Sequence, residues 1–560
     1  MSWAGAAASY AGRFLPRRDD YAELGTSWRP DVAAGLTVGI VALPLALAFG
    51  VSSGVGAAAG LVTAVVAGIV AAVFGGSHVQ VSGPTGAMAV ILAPIVAVHG
   101  ASSVALLSLM AGLVVLALGL SRLGRAVAFI PWPVVEGFTL GIGAIIFLQQ
   151  VPLATGTQVE AGQNTAVAAW HAVAGAQWPE AGLGLALVVG VAAVMLLLPR
   201  LHPALPASLI AVVLATLVAE AAALPVARIG ALPDSLPAPG LPAVTSQLLS
   251  ELAGPALAIA ALAAIESLLS ARVAAGLAGP SGATTGPYDP DRELAGQGLA
   301  SIASGLFGGM PATGAIARTA VNVRSGARTR ASAIVHALLL LVVVYAAAPL
   351  VSRIPLAALA GILMVTATRM VSRHTAASIL RSSRADAALF VVTAFITVAF
   401  DLIEAIQIGV LVAAFFALRS VARLSGVARE EIGGEPVPGD ERIAVFRLEG
   451  SMFFGAAERI LQEISSVRGV EVVVLRLSHL RMLDATGAHT LAEIIGILER
   501  RGITVLIKGI KPEHVRLADT VGVVRALRHY KHRFDELPPA IEHARSHVRR
   551  NAEAREGGDA

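Results

Sequence analysis

Two polar, glycine-rich stretches interrupt the apolar runs of this chain: Val81-Ser82-Gly83-Pro84-Thr85-Gly86-Ala87 and Ala315-Ile316-Ala317-Arg318-Thr319-Ala320-Val321-Asn322. Around them the hydropathy is that of a membrane protein. Of 560 residues, 56% are hydrophobic and 14% charged, against about a quarter charged in soluble chains. Unsatisfied peptide groups in hydrocarbon cost several kcal/mol each, so irregular backbone at membrane depth persists only where it lines a protected, wet cavity. Two such breaks in corresponding positions of two halves predict a binding site between discontinuous helices. Arg318 in the second break predicts an anionic ligand.

The charge divides the chain. Residues 32 to 426 hold the long apolar runs, whereas 427 to 560 carry a dense mixture of Arg, Glu, Asp and His and all three lysines, Lys508, Lys511 and Lys531. The expected organisation is an N-terminal segment over 1–31, a transmembrane domain over 32–426, a linker over 427–439, a soluble domain over 440–549 and a disordered tail over 550–560. Arg13, Arg17, Arg18, Asp19 and Asp20 precede the first apolar segment without a cleavable signal, and the positive-inside rule places them in the cytoplasm.

Other classes are poorly supported. A net charge of +4 comes from dispersed arginines without aromatic interleaving, so basic loops facing an anionic leaflet explain it better than nucleic acid. No cysteine is present, which excludes disulfides and thiolate sites. Asp19, Asp20 and the histidines show no metal-ligand spacing, and Gly305-Leu306-Phe307-Gly308-Gly309 has no adjacent phosphate-binding lysine. The expectation is therefore no enzyme, no metal, no cofactor and no primary pump.

A spanning helix needs about 20 mostly apolar residues. Candidates lie near 32–54, 57–74, 83–99, 103–121, 126–149, 181–199 and 204–223, then near 253–275, 293–309, 315–324, 331–352, 355–372, 386–399 and 403–426. Two groups of seven predict an α-helical polytopic membrane protein of 14 segments built as a 7+7 inverted repeat. An odd number per half inverts the second half, so the third and tenth segments approach each other from opposite sides. Residues 151–180 are expected as an extramembrane loop. The stretch 224–252, with Pro225, Pro233, Pro237, Pro239 and Pro242, is expected to be an irregular connection.

Beyond Val437-Pro438-Gly439-Asp440, the runs Arg442–Leu448, Val470–Leu477 and Thr504–Lys508 read as buried strands, and Ala456–Ser466, Gly487–Arg501 and Pro512–Thr520 as amphipathic helices. Their alternation predicts a small α/β domain.

Within the breaks, half-helix N-termini present unpaired N–H groups and a positive dipole end. Gly83 and Gly86 would allow close backbone approach, with Ser82 and Thr85 supplying hydroxyls; Gly314 would do the same opposite. Arg318 cannot shed its charge and should face an interior cavity; Arg324, Arg328 and Arg330 are expected at the interface. Glu266 sits in an apolar segment and could couple a proton or cation to anion movement. Glu136 is expected to be structural. Pro44 should break the first helix, and Phe49 could wall the site.

The stretch Gly75-Gly76-Ser77-His78-Val79-Gln80-Val81-Ser82-Gly83-Pro84-Thr85-Gly86-Ala87, with Asp291-Arg292-Glu293-Leu294, Gly305–Gly309 and Arg318-Thr319-Ala320-Val321-Asn322, resembles the sulfate permease (SulP) family, the bacterial counterparts of solute carrier family 26. The C-terminal domain resembles a STAS domain. The resemblance implies core and gate domains, a homodimer, elevator-like movement, and an anion held between segments three and ten by Phe49, Ser82, Gly83, Thr85, Gly86, Ala87, Gly314, Ala315, Ile316, Ala317 and Arg318. Substrates across the family include sulfate, bicarbonate, chloride, oxalate and dicarboxylates. Ala42 to Phe49 and Ser82 to Ala87 are most similar to a branch with sodium-coupled bicarbonate transporters. That branch is expected to hold sodium by an aspartate at Glu266 and threonines at Ser270 and Ile316. Here all three differ, and Ile316 has no side-chain oxygen, which makes a proton the expected coupling ion, with Glu266 and Ser270 as coupling residues. In the STAS stretch, Leu483-Asp484-Ala485-Thr486-Gly487 carries alanine where phosphorylated anti-sigma antagonists carry serine, so that switch is lost while the helix N-cap survives.

The resulting expectation is an inner (plasma) membrane, multi-pass secondary transporter of sulfate or bicarbonate, proton-coupled, with membrane lipid around it and N-terminus and STAS domain in the cytoplasm. Its rivals are a sodium-coupled bicarbonate or dicarboxylate symporter, an uncoupled exchanger or channel, and a membrane-anchored STAS signalling protein.

Overall fold

The computed structural model describes residues 12–556, apart from 125–130, 161–162, 179, 203–204, 234, 278–287, 371, 400–407, 409–410, 413–414, 416–425, 434, 453–459, 461 and 465–466. It divides into two compact units, Met1–Val410 and Leu411–Ala560.

The first unit is helical. In chain order it comprises α1 (Leu24–Ser52), α2 (Ala57–Phe74), β1 (Ser82–Gly83), α3 (Gly86–His99), α4 (Ser103–Leu120), α5 (Trp132–Thr155), α6 (Thr165–Ala174), α7 (Glu180–Leu201) and α8 (Ala207–Ala221). Then come α9 (Ser246–Gly276), α10 (Pro290–Leu306), β2 (Thr313–Gly314), α11 (Ile316–Arg324), α12 (Ala331–Val351), α13 (Leu356–Met370), α14 (Arg373–Ser382) and α15 (Arg384–Ala399). Among the described residues, seven helices are long and apolar enough to cross a membrane, and an eighth if α12, bent by 61°, is one span. Helices α3 and α11 have 14 and 9 residues. At 1.5 Å per residue they reach about 21 and about 14 Å, less than a hydrocarbon core of about 30 Å.

Helices in lipid gain little from the hydrophobic effect, so close association requires small residues at the contact. Gly60 faces the Ala46 carbonyl so closely that no Cβ fits between α1 and α2. A Cβ on Gly298 would lie 2.5 Å from Leu116 N, and one on Gly119 2.6 Å from Ala295 N, which lets α4 and α10 pack backbone to backbone.

Several expectations are corrected. Pro44 lies inside α1, which continues to Ser52; the helix is packed against α2 and α12, and this support outweighs one lost N–H. The 151–180 loop contains α6, started by Asn164, whose Oδ1 accepts from Ala166 N at 2.9 Å. The proline-rich connection is irregular until Thr245 caps α9. The expected segment 403–426 and the helix 456–466 fall largely outside the described residues.

The N-terminal segment is tied to the helical unit. Asp20 is buried and receives Arg292 Nη1 at 2.9 Å and Nη2 at 2.6 Å, with Arg330 Nη2 at 3.4 Å. Arg330, expected at the interface, is instead 1% exposed and also donates to Ala72 O at 2.9 Å. Arg324 and Arg328 are exposed.

The second unit has β3 (Gly426–Glu430), β4 (Ile443–Met452), β5 (Val472–Arg476), β6 (Leu480–Leu483), α16 (Ala485–Arg500), β7 (Thr504–Lys508), α17 (Pro512–Val521), β8 (Arg533–Phe534) and α18 (Leu537–Glu556). The sheet order is β3-β4-β5-β7-β8, with β6 also on β4; β3 is antiparallel and the other pairs are parallel. Strand side chains alternate between faces: Ala444, Phe446, Val473, Leu475, Val505 and Ile507 join one core with α16 and α17, while Ile443, Val445, Val472, Val474 and Leu506 pack on Ala540, Ile541, Ala544 and Val548 of α18. Both faces are covered, as a parallel sheet requires. Two boundaries therefore move: β3 lies in the expected linker and belongs to the sheet, and α18 extends to Glu556, so residues 550–556 are helical rather than disordered.

Candidate functional site

The two breaks meet. Residues 82–83 and 313–314 form a two-residue antiparallel bridge, Ser82 opposite Gly314 and Gly83 opposite Thr313, and each strand leads into a short helix. A Cβ on Gly314 would overlap Gln80 Nε2, and one on Gly83 (φ +154°) would lie 3.0 Å from Arg318 Nη1. Glycine at 314 leaves room for the Gln80 amide, and at 83 it takes a positive φ that side chains rarely adopt.

A polar frame holds the bridge. Thr319 Oγ1 accepts from Val81 N at 3.0 Å, and Asn322 Nδ2 donates to Val79 O at 2.8 Å. Gln297 Nε2 donates to Ser82 Oγ at 2.6 Å and to Glu293 Oε1 at 2.9 Å, while Glu293 Oε2 accepts from Gly76 N at 2.8 Å and Ser77 N at 2.9 Å. Extended backbone inside a membrane protein needs such partners for each peptide group. The Gly-Gly-Ser-His run, the Asp-Arg-Glu-Leu run and the Arg-Thr-Ala-Val-Asn run are thus parts of one brace.

The bridge ends at a cavity of about 900 Å³ lined by α1, α3, α5, α9, α11 and α13 among others. Neither α3 nor α11 has a side-chain cap at its N-terminus, so their first N–H groups are left for a ligand. Thr85 Oγ1 donates to Glu266 Oε2 at 3.0 Å, and Thr313 Oγ1 to the same oxygen at 2.8 Å. Arg318 is 3% exposed; its Nη2 donates to the Pro84 carbonyl, and its buried Nη1 has no hydrogen-bond partner among the described residues. A buried cationic donor without a partner, beside two uncapped helix starts, is chemically suited to an anion.

Of the expected residues, Phe49, Thr85, Gly86, Ala87, Glu266, Gly314, Ala315, Ile316, Ala317 and Arg318 line this cavity. Ser82, Gly83 and Ser270 are not among its lining residues. Ser82 is taken by Gln297, Gly83 sits at the crossing, and Ser270 Oγ donates to Thr319 Oγ1 at 3.1 Å. Ser270 is therefore a frame residue. Glu136, expected to be structural, accepts from Trp132 Nε1 at 3.0 Å and also lines the cavity. Arg272 and Arg369 line it too and were not anticipated; Arg272 stands out as the one basic residue of α9, six positions after Glu266. With Arg272, Arg318 and Arg369 against Glu136 and Glu266, the charged lining carries one excess positive charge.

The expectation that no histidines share ligand spacing is corrected in the second unit. His543 and His547 are one turn apart on α18 and converge on His532.

A model of the "Sulfate permease family" matches residues 28–393, and one of the "STAS domain" matches 436–536. The chain is 34% identical over 525 residues to the "Putative sulfate transporter YvdB" of Bacillus subtilis, covering 91% of this chain and 97% of that protein. It is 31% identical over 538 residues to the "Bicarbonate transporter BicA" of Synechocystis, covering 91% and 94%. Among solved structures, the transmembrane domain of a cyanobacterial BicA superposes with a TM-score of 0.61 at 33% identity, over 68% of this chain and 97% of that one. SLC26A9 shares the fold, with a TM-score of 0.83 at 16% identity over 99% and 96%.

Proposed function

Because the chain belongs to the sulfate permease family and carries a C-terminal STAS domain, we propose that it is a proton-coupled secondary transporter of sulfate or bicarbonate. The observation that carries the reading is the unpartnered, buried Arg318 Nη1 between two uncapped helix N-termini. Relatives named for sulfate and for bicarbonate support a small oxyanion without choosing between them.

A 7+7 inverted repeat is supported by parallel element order. In each half a long helix, a second helix, a two-residue strand and a short helix follow one another: α1, α2, β1, α3 and α9, α10, β2, α11. Opposed insertion of the two halves accounts for the antiparallel β1·β2 bridge. We take elevator movement of a core containing this bridge, a homodimer, and a plasma-membrane orientation with N-terminus and STAS domain in the cytoplasm as the accompanying proposal.

Glu266 is the proposed coupling group. Its carboxylate bonds Thr85 and Thr313 from the two halves, so it senses the geometry of the bridge. Protonation would remove its repulsion of an incoming anion, linking the two binding events. Sodium is disfavoured because Ile316 offers no side-chain oxygen and Ser270 is engaged with Thr319. The test is uptake of radiolabelled sulfate and bicarbonate into proteoliposomes under an acid-outside gradient. In Glu266→Gln, anion-for-anion exchange should persist while gradient-driven accumulation disappears. Undiminished accumulation by this variant, or a sodium requirement of the native protein at constant pH, would overturn the assignment.

A further inference from the structure

We propose that His532, His543 and His547 bind a divalent transition-metal cation of the zinc class on the C-terminal domain. Each offers one imidazole nitrogen, and the three nitrogens lie within 4.8 Å of one another. Ring centroids are 5.6 Å apart for His532–His543, 5.4 Å for His532–His547 and 5.0 Å for His543–His547. The local folding reason is simple. Residues four apart share a helix face, and the turn Tyr530–His532 leading into β8 brings the third ring against that face.

Edge-on packing of the three rings alone would explain their proximity. It does not explain the nitrogens: His532 Nδ1 and His543 Nε2 are buried and have no hydrogen-bond partner among the described residues. An unpartnered buried acceptor or donor carries its full desolvation cost, which a shared ligand would relieve. His532 also bonds the Val505 main chain, and such a bond through one ring nitrogen fixes the tautomer that presents the other to a metal. His529 is close, at 6.0 Å from His532, but its Nδ1 accepts from Lys531 N at 3.1 Å and so serves the turn.

Three neutral imidazoles without thiolate or carboxylate select borderline cations over calcium or magnesium, and leave a fourth position for water or another donor. Tetrahedral zinc with Zn–N near 2.05 Å needs nitrogens about 3.3 Å apart, so the rings close by at most about 1.5 Å on binding. Positive charge from Arg528 and Arg550 is felt at this cluster and will temper the affinity. Binding would clamp α18 to the turn before β8. Both α18 ligands lie beyond the span 436–536 that matches the STAS domain model.

The test uses full-length protein carrying no polyhistidine tag, purified in detergent and stripped with chelator. Zn²⁺ should bind at one equivalent per chain, slow amide exchange in α18, and be replaceable by Co²⁺ with a ligand-field spectrum of imidazole coordination. His543→Gln with His547→Gln should weaken Zn²⁺ by at least about a hundredfold and abolish the Co²⁺ bands. Equal Zn²⁺ affinity of native and double variant, or a Co²⁺ spectrum of the aquo ion in the native protein, would overturn the proposal. The native Co²⁺ spectrum decides even if the variant folds poorly.

Discussion

Arg318 shows how one side chain defines the chemistry of a site. A guanidinium keeps its proton even when buried, and Nη1 has no hydrogen-bond partner among the described residues. An anion in the cavity supplies that partner, and a hydrogen bond to a charged group is worth about 1.5–3 kcal/mol. Arg318→Ala should therefore lower apparent anion affinity by about tenfold to a hundredfold, measured as concentration-dependent uptake, with expression unchanged. Unchanged affinity would mean that the helix N-termini suffice. Residue type and position in the breaks pointed to Arg318, Thr85, Glu266, Gly86 and Gly314, which line the cavity, and to Gly83, which sits at the crossing instead. The family resemblance offered Ser270 as a coupling residue, but its hydroxyl donates to Thr319 instead of facing the cavity. Thr313, Gln80 and Gln297 gave no signal, since their partners are distant in sequence: 47 positions for Thr313–Glu266 and 187 for Gln80–Ser267.

At the scale of elements, the short helices α3 and α11 do not hold themselves in place. Their start points depend on α2, α9 and α10 through the polar frame and, further out, on Asp20, which joins the N-terminal segment to Arg292 of α10 and Arg330 before α12. Removing one partner of a buried ion pair leaves an uncompensated charge and costs about 3–5 kcal/mol. We expect Asp20→Ala to lower the melting temperature of the detergent-purified protein by several degrees and to reduce uptake rate more than affinity. A melting temperature equal to that of the native protein would show that Arg330's bond to Ala72 suffices. The sequence suggested no such tether, because Asp20 stands in a charged, solvated-looking run.

For the whole molecule, the two units make separate predictions. Since β3 belongs to the sheet of the second unit, a clean truncation must remove residues 426–560; cutting at 437 would strand an edge strand. The shorter chain should bind substrate with native affinity while yield or rate falls, checked by uptake kinetics. Loss of anion binding would contradict that division. In the second unit, Arg545 Nε and Nη2 each donate to Asp440 at 2.9 Å and hold its carboxyl below the usual carboxylate range. A carboxyl with a lowered folded pKa contributes stability above its unfolded value near 3.9, and that contribution is lost as pH falls through the folded value. Between pH 5 and about 3, exchange of β4 amides, corrected for intrinsic rates, should rise in the native protein and change less in Asp440→Asn. Identical acid responses would remove this pair from the account.

Hydropathy over tens of residues determined that the first unit is helical and membrane-spanning, because the cost of unpaired peptide groups in lipid leaves few other solutions. The two polar breaks likewise announced where that rule had to be satisfied by something other than a continuous helix. Alternation of apolar runs determined the α/β character of the second unit. Tertiary structure alone decided which polar groups brace the breaks and which face the cavity, that Pro44 is carried within an unbroken helix, and that α18 closes the far side of the sheet. Those outcomes rest on contacts between residues remote along the chain, whose energies no local window contains. The three histidines illustrate the limit: the helical pair is written in the spacing of 543 and 547, but the third ring reaches them only because β8 pairs with β7.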